Sequence, residues 1–318
     1  MGGGDGTGPR AASADPTRVV CCVGDIHGFY DRLLRLWANL ELRVGGAAFR
    51  TALVIFLGDY CDRGPQTREV IDFLLSLPSR YPEQRHVFLC GNHDLAFSAF
   101  VGALPPPHDG STFSETWAEG GLRGDAPAGA AVGGVIRDRW NSKRGTEYLG
   151  SIYDAGPTFQ SYGVPHGSIE LTKAVPEEHK KFLSTLSGSM RRLSIWNRNP
   201  GSADEDDVGL DAPEGRLCCK LIAVHAGLER GKPVEQQLRT LRSRDTSISK
   251  VEALSGRQNV WNIPKELSGE TPTIIVSGHH GKLHLEGLRF IVDEGGGRKE
   301  SPVAALILPS QTIVRDTD

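Results

Sequence analysis

Val23-Gly24-Asp25-Ile26-His27-Gly28 closes the run Arg18 to Val23, which reads as a buried first strand opening into a loop that carries a carboxylate and an imidazole. Four later segments repeat that arrangement. Gly58-Asp59-Tyr60-Cys61-Asp62-Arg63-Gly64, Gly91-Asn92-His93-Asp94, Val224-His225-Ala226-Gly227 and Ser277-Gly278-His279-His280 each follow a short β-branched or apolar run and begin or end in small residues. One such segment would mean little. Five in one chain, offering carboxylate, imidazole and amide donors, point to a hydrolytic site with two metal ions.

Outward from this stretch, strand and helix signals alternate. Asp31 to Leu42 carries apolar residues at helical spacing, Ala52 to Leu57 is a second strand, Thr67 to Leu77 a second helix, and Val87 to Cys90 a third strand followed by a helix from Asp94. This β-α-β-α-β-α order predicts a parallel sheet with the motifs gathered at the carboxyl ends of its strands. Between about residues 102 and 215 the character changes: Leu104-Pro105-Pro106-Pro107 is a stop, Glu119 to Gly134 is rich in Gly and Ala, and Ser202 to Asp207 is acidic. Helical patterns there fall near Ile136 to Trp140 and from Pro176 to Leu186. We read this stretch as an insertion that shapes the substrate site. Strand signals return at Leu217 to Val224 and Thr273 to Val276, delivering His225 and His279, with helices expected at Val234 to Leu241 and Ser247 to Leu254. Leu288 to Val292, Val303 to Leu308 and Gln311 to Val314 then read as strands of a second sheet or an antiparallel half.

Composition narrows the function classes. The chain has 318 residues, 38% of them hydrophobic, enough for a packed core. A net charge of −3, from 36 basic and 39 acidic residues, gives no electrostatic pull toward nucleic acid or an anionic membrane. The six cysteines show no C-x-x-C spacing; Cys21-Cys22 and Cys218-Cys219 are adjacent on strands and point to opposite faces, so reduced thiols are expected. Residues 1–16 read as a disordered tail without a signal peptide, Gly6 occupies the position where N-myristoylation wants Ser or Thr, and no apolar run is long enough to span a membrane. The expected setting is cytoplasmic or nuclear, with residues 17–318 forming a single catalytic domain.

The ordered set Gly24-Asp25-Ile26-His27-Gly28, Gly58-Asp59 through Asp62-Arg63-Gly64, Gly91-Asn92-His93-Asp94, His225-Ala226-Gly227 and Gly278-His279 resembles the signature of the calcineurin-like metallophosphoesterases, within the phosphoprotein phosphatase branch. That resemblance implies an α/β fold, a β-sandwich flanked by helices (α/β/β/α). More narrowly, Ile55 through Pro65, Ser151-Ile152-Tyr153-Asp154-Ala155-Gly156, and Leu254-Ser255-Gly256-Arg257 with Asn259-Val260-Trp261 resemble the plant Rhizobiales-like phosphatases, a bacterial-like group, which implies phosphotyrosine in proteins as substrate. His225-Ala226-Gly227 departs from the His-Gly-Gly of eukaryotic Ser/Thr phosphatases, and a Ser-Ala-Pro-Asn-Tyr-Cys segment is missing. A phenolate, from a group with pKa about 10, also needs less proton assistance than an alkoxide. A Ser/Thr phosphatase, a dinucleoside polyphosphate hydrolase and a non-catalytic scaffold are the alternatives.

The chemistry assigns roles. Phosphate repels nucleophiles, so two cations about 3.5–4 Å apart would neutralise it and acidify a water. Asp25 and His27 suit one metal, Asp59 has two oxygens to bridge, and Asn92, His225 and His279 suit the second; Mn, Fe or Zn all match such donors. Arg63 matches two phosphate oxygens at once. His93 is expected as general acid with Asp94 orienting its ring, although the family more often has the longer Glu there. Asp62 would support Arg63 or His93. By resemblance, Asn92 and Arg257 would also bind phosphate. His280 reads as a residue behind the ligands or at the solvent, and His166 as one that could reach substrate from the insertion.

Overall fold

In the computed structural model the described residues are 18–104, 139–141, 146–148, 153–198, 216–245, 248, 251–269, 272–295 and 297–318. Strand β1 (Val20–Val23) shows why the fold has four layers. Its side chains alternate: Cys21 and Val23 face the helices, while Val20 and Cys22 enter a second core shared with strands from the other half of the chain. Every residue of the strand is buried, so the whole run must be apolar.

In chain order β1 is followed by α1 (Tyr30–Val44), α2 (Gly46–Arg50), β2 (Leu53–Phe56), α3 (Thr67–Arg80), β3 (Arg85–Phe88) and α4 (Asn92–Phe100). The middle of the chain contributes β4 (Arg139–Asn141), β5 (Thr146–Tyr148), α5 (Gly156–Ser161), α6 (Leu171–Ala174), α7 (Glu177–Thr185) and β6 (Met190–Arg198). The remainder is β7 (Arg216–Ala223), α8 (Val234–Ser243), α9 (Glu252–Ser255), β8 (Thr273–Ser277), β9 (Leu283–Glu286), β10 (Arg289–Val292), β11 (Ala304–Leu308) and β12 (Thr312–Arg315).

Two mixed sheets result, ordered β12-β11-β1-β2-β3 and β6-β7-β8-β10-β9. The expected parallel core β1-β2-β3 is present, and β7-β8-β10 is its parallel counterpart; antiparallel strands flank both. Leu53, Ile55 and Leu57 from one sheet meet Leu221, Ile274, Val276 and Phe290 from the other. Helix α1 buries Leu33, Leu36, Trp37 and Leu40 on the outer face of the first sheet, where Trp37 packs against Phe49, Phe56 and Phe73. The fold is therefore the α/β sandwich flanked by helices that the resemblance implied.

Some expectations need correction. Of the stretch Ile136 to Trp140, where a helix is expected, Arg139 and Trp140 belong to strand β4 and the rest lies outside the described residues; five residues are too few to show a period. Of the helix expected over Ser247 to Leu254, the described residues show only Glu252–Ser255. Strands β6 and β9 escaped the reading: both are sheet edges, and their polar residues (Arg191, Arg192, His284, Glu286) mask the apolar signal. The tail over 1–16, the Gly/Ala stretch Glu119 to Gly134 and the acidic stretch Ser202 to Asp207 lie outside the described residues. In the middle of the chain, α5 and α7 pack on α3, and the buried His179 is held between Asp72 (2.8 Å) and the Tyr162 hydroxyl (2.9 Å). Cys21, Cys22, Cys61, Cys90 and Cys219 are free and buried, and burial pushes the Cys21 thiol up to about 12. Among the described residues no helix is long and apolar enough to cross a membrane.

Candidate metal centre

Each motif loop leaves the carboxyl end of a strand, and backbone hydrogen bonds knit the loops together. The N–H groups of His27 and Gly28 donate to the carbonyls of Asp59 and Tyr60 (both 2.8 Å), Gly64 N–H returns to His27 O (2.8 Å), and Gly278 N–H reaches His225 O (2.9 Å). The loops are tight enough that His27, Asp59, Asp62, Arg63 and His279 all adopt positive φ, between 49° and 72°. Such backbone persists only where the surroundings over-determine it. Gly91 is required by proximity: a Cβ there would lie 2.0 Å from Asp59 Oδ1.

Asp59 is the hub. Its Oδ2 lies 3.3 Å from His225 Nε2, 3.5 Å from His27 Nε2 and 3.9 Å from His93 Nε2. Two buried donor groups share it, His27-Asp59-His93 and Asp59-His225-His279, each with donor atoms within 4.8 Å of one another. Asn92 Oδ1 adds an amide oxygen 3.2 Å from His225 Nε2. Asp25 Oδ2 is 3.8 Å from His27 Nε2, and both of its oxygens accept the His279 N–H at 3.1 Å. The expected ligands Asp25, His27, Asp59, Asn92, His225 and His279 thus sit in one buried cluster. His93, assigned by sequence to proton transfer, also belongs to the His27 group.

Side-chain tautomers follow from the carbonyls behind the rings. His27 Nδ1–H donates to Cys61 O (2.9 Å) and His225 Nδ1–H to Leu57 O (2.7 Å), which aims both Nε2 atoms inward. His279 Nε2 is buried and has no hydrogen-bond partner among the described residues. An orphaned, buried nitrogen beside a carboxylate and a second imidazole fits a metal ion with mixed N/O ligands.

The electrostatics reflect this crowding. Burial works to raise Asp59, but His225 and His93 overcome it and hold the carboxylate well below its usual range. Burial likewise opposes protonation of His225, yet Asp59 beside it raises the imidazole to about 10. Asp25 is raised, by burial and then by Asp293 and Asp59. His93 is pushed down to about 3 by burial, with Asp59 opposing and Arg63 reinforcing.

Arg63 spans the site, its guanidinium donating to His27 Nε2 (2.7 Å) and His93 Nε2 (3.0 Å). The carboxylate on the His93 ring is not Asp94, as expected, but Asp62, whose Oδ2 accepts from Nδ1 at 2.8 Å. Asp94 instead accepts the backbone N–H groups of Asp59, Tyr60 and Gly91 at 2.7–2.8 Å. A side chain one methylene shorter than Glu turns back onto the loop backbone and fastens the second and third motifs together.

Asp25, Asp59, Arg63, His93, Arg257 and His279 line an open cleft of about 560 Å³, together with Arg298 and Lys299. Arg257 faces the cleft and donates to the His279 carbonyl. His280 lines the cleft too, but its Nε2–H is committed to Ala226 O at 2.7 Å. His166 packs edge-on against Phe159 and is not among the cleft residues. Sequence reasoning missed Asp293 and Arg289. Asp293 accepts N–H groups from Gly281 and Gly295 in two cleft loops, and the buried Arg289 donates to Ala226 O (2.9 Å) and Ser277 Oγ (2.8 Å) behind His225. An arginine and an aspartate ending a short apolar strand were the available signals.

The serine/threonine-protein phosphatase PP2A-like PPG1 of Candida albicans is 46% identical over 76 residues, covering 24% of this chain and 16% of that protein. A relative from Schizosaccharomyces pombe is 44% identical over 75 residues, covering 24% and 22%, so the chain spans under a quarter of the length of these curated relatives. The structure of a cold-active protein-tyrosine phosphatase from a psychrophilic Shewanella aligns with 98% of this chain and 84% of that one, at TM-score 0.49 and 17% identity. The family model described as calcineurin-like phosphoesterase matches residues 18–200, more than half of the chain and three of the motif loops that surround Asp59, and the chain belongs to that family.

Proposed function

We propose that this chain is a metal-dependent protein phosphatase that hydrolyses phosphate monoesters, with phosphotyrosine as the preferred substrate. The observation that carries the reading is Asp59: one carboxylate shared by two buried donor groups, with a guanidinium and a second imidazole facing the same open cleft. Asp25, His27, Asp59, Asn92, His225 and His279 would hold the ions, which when bound would neutralise phosphate charge and lower the pKa of a water. Arg63 would grip two phosphate oxygens. As the P–O bond to the leaving group breaks and water supplies the new oxygen, the leaving oxygen takes a proton from His93 Nε2.

His93 is neutral while Arg63 donates to it. A phosphate dianion that draws the guanidinium away removes a cation and brings an anion, and both changes favour the imidazolium a general acid needs. Arg257 on the cleft wall would add a second cation. The local resemblance of Ile55–Pro65, Ser151–Gly156 and Leu254–Arg257 with Asn259–Trp261 to tyrosine-preferring phosphatases supports the substrate choice, and residues 102–215 would shape that preference. The yeast relatives, named as serine/threonine phosphatases, favour phosphoserine or phosphothreonine as the second reading.

The test is hydrolysis of matched phosphotyrosine, phosphoserine and phosphothreonine peptides by wild type and Asp59→Asn, with added Mn and with chelator. Release from phosphotyrosine that requires metal and falls on the order of 10³-fold in Asp59→Asn, about 4 kcal/mol of transition-state stabilisation, is the expected result. Preferential release from phosphoserine or phosphothreonine would keep the centre and replace the substrate. Metal-dependent cleavage of a dinucleoside polyphosphate alone would replace the protein substrate altogether.

A further inference from the structure

The segment from Tyr153 to Thr158 enters from the middle of the chain and closes on the Asp62-Arg63 turn. That turn places two consecutive non-glycine residues in left-handed backbone, with φ of 72° at Asp62 and 65° at Arg63. Three backbone N–H groups hold it there. Asp62 N–H donates to Thr158 Oγ1 (2.8 Å), Arg63 N–H to Asp154 O (2.9 Å) and Gly64 N–H to His27 O (2.8 Å), so two of the three anchors come from this distant segment.

Thr158 makes a second contact with the same residue. Its hydroxyl donates to Asp62 Oδ1 at 2.7 Å, while the other carboxylate oxygen, Oδ2, accepts from His93 Nδ1 at 2.8 Å. With the Thr158 proton committed to Asp62, the Thr67 hydroxyl 3.0 Å away is the donor in their contact. All four side chains are buried: Thr67 and Thr158 at 0% and 1%, Asp62 and His93 at 3%. The Tyr153 ring closes the other side, edge-on to His93 with centroids 4.7 Å apart.

We infer that Thr158 is a positioning residue for proton delivery: its hydroxyl fixes the Asp62 carboxylate, and that carboxylate fixes the ring of His93. The inference rests on the reading of His93 as proton donor. An aspartate whose backbone N–H donates to the same hydroxyl that donates to its carboxylate is restrained from rotating, so the imidazole that carboxylate holds keeps its tautomer and aim. The segment therefore does more than shape access to the cleft; it completes the acid.

Leaving groups of different basicity test this. Phenyl phosphate expels a phenolate whose acid has pKa about 10 and needs the proton; p-nitrophenyl phosphate expels a far weaker base and does not. For Thr158→Val, which keeps the shape and removes the hydroxyl, kcat on phenyl phosphate is expected to fall about 10-fold or more and kcat on p-nitrophenyl phosphate by less than about 3-fold. KM and bound metal per chain stay unchanged, and Thr158→Ser restores the phenyl phosphate rate. Equal losses on both substrates, or no recovery in Thr158→Ser despite a wild-type melting temperature, would overturn the inference. His93→Asn separates it from the parent reading. If His93→Asn discriminates between the two substrates and Thr158→Val does not, only the positioning role fails; if His93→Asn loses both equally, the proton-donor reading fails and takes this inference with it.

Discussion

The two donor groups that share Asp59 differ in what already occupies their lone pairs. On the His27 side, the Arg63 guanidinium donates to His27 Nε2 and His93 Nε2, and burial with that neighbouring cation holds His27 well below its usual range. On the His225 side no guanidinium donates to a ring among the described residues. His225 Nε2 meets Asp59 and Asn92, and His279 Nε2 meets no partner among the described residues. One group is arranged around a long cation that can turn away, the other around fixed anionic and amide oxygens. Metal should therefore be held more firmly on the His225 side, while the His27 side gains its ion most readily when phosphate takes the guanidinium.

The largest effect comes from removing one ligand on each side. His279→Gln is expected to lose tightly bound metal on desalting, and His27→Gln to keep the firmer equivalent. Both should lose kcat on the order of 10³-fold, since either ion alone leaves phosphate charge uncompensated. Metal per chain, measured by elemental analysis beside the rate, checks the asymmetry. Equal metal loss in the two variants would break the comparison.

A smaller effect sharpens it. Arg63→Lys keeps the charge but loses the fork that reaches two acceptors at once, so kcat/KM should fall about 10- to 100-fold, roughly 1.4–2.7 kcal/mol. If Arg63 competes with metal for His27 Nε2, wild type should bind the second metal more tightly in the presence of inorganic phosphate, and Arg63→Lys should show less of that gain. Calorimetric metal titrations with and without phosphate decide it; a wild type indifferent to phosphate would refute the competition.

The motif loops were legible because each is local: a buried strand, a small residue, then a polar donor, all within about six residues. Their convergence follows from a general rule of parallel sheets, which is why the positions of Asp25, Asp59, Asn92, His225 and His279 could be anticipated together. Contact across sequence distance was legible only as alternatives, with Asp62 expected on Arg63 or His93 and Asp94 on the His93 ring. The partner of His93 is Asp62 rather than its neighbour Asp94, because residue 94 lies on the first turn of a helix and its carboxylate turns toward the N–H groups of Asp59, Tyr60 and Gly91. Thr158 lies 96 residues from Asp62, and no spacing rule pairs them. Arg289 and Asp293 read as strand-end polar residues until the loops they hold are seen.

The smallest predicted effect isolates a single contact on the His27 side. Gly297 has φ 73°, and a Cβ there would lie 2.4 Å from His27 Cδ2; Gly281 on the same cleft has φ 64° but open space around it. Both Gly→Ala changes carry the backbone cost of left-handed φ, on the order of 1 kcal/mol, which for a chain of this size lowers Tm by about 1–2 °C. Only Gly297→Ala also presses on a ligand ring. The Gly297 loop cannot simply retreat, because the Arg32 guanidinium holds the carbonyls of Arg298, Lys299 and Ser301 and Asp293 holds Gly295 N–H. Gly297→Ala should therefore lose a further few-fold in kcat/KM that excess metal partly restores, while Gly281→Ala at matched Tm keeps its rate. If the two variants are equally impaired, the loop contributes backbone alone and His27 is held from the Cys61 and Arg63 side, which would make the guanidinium the stronger constraint on that half of the centre.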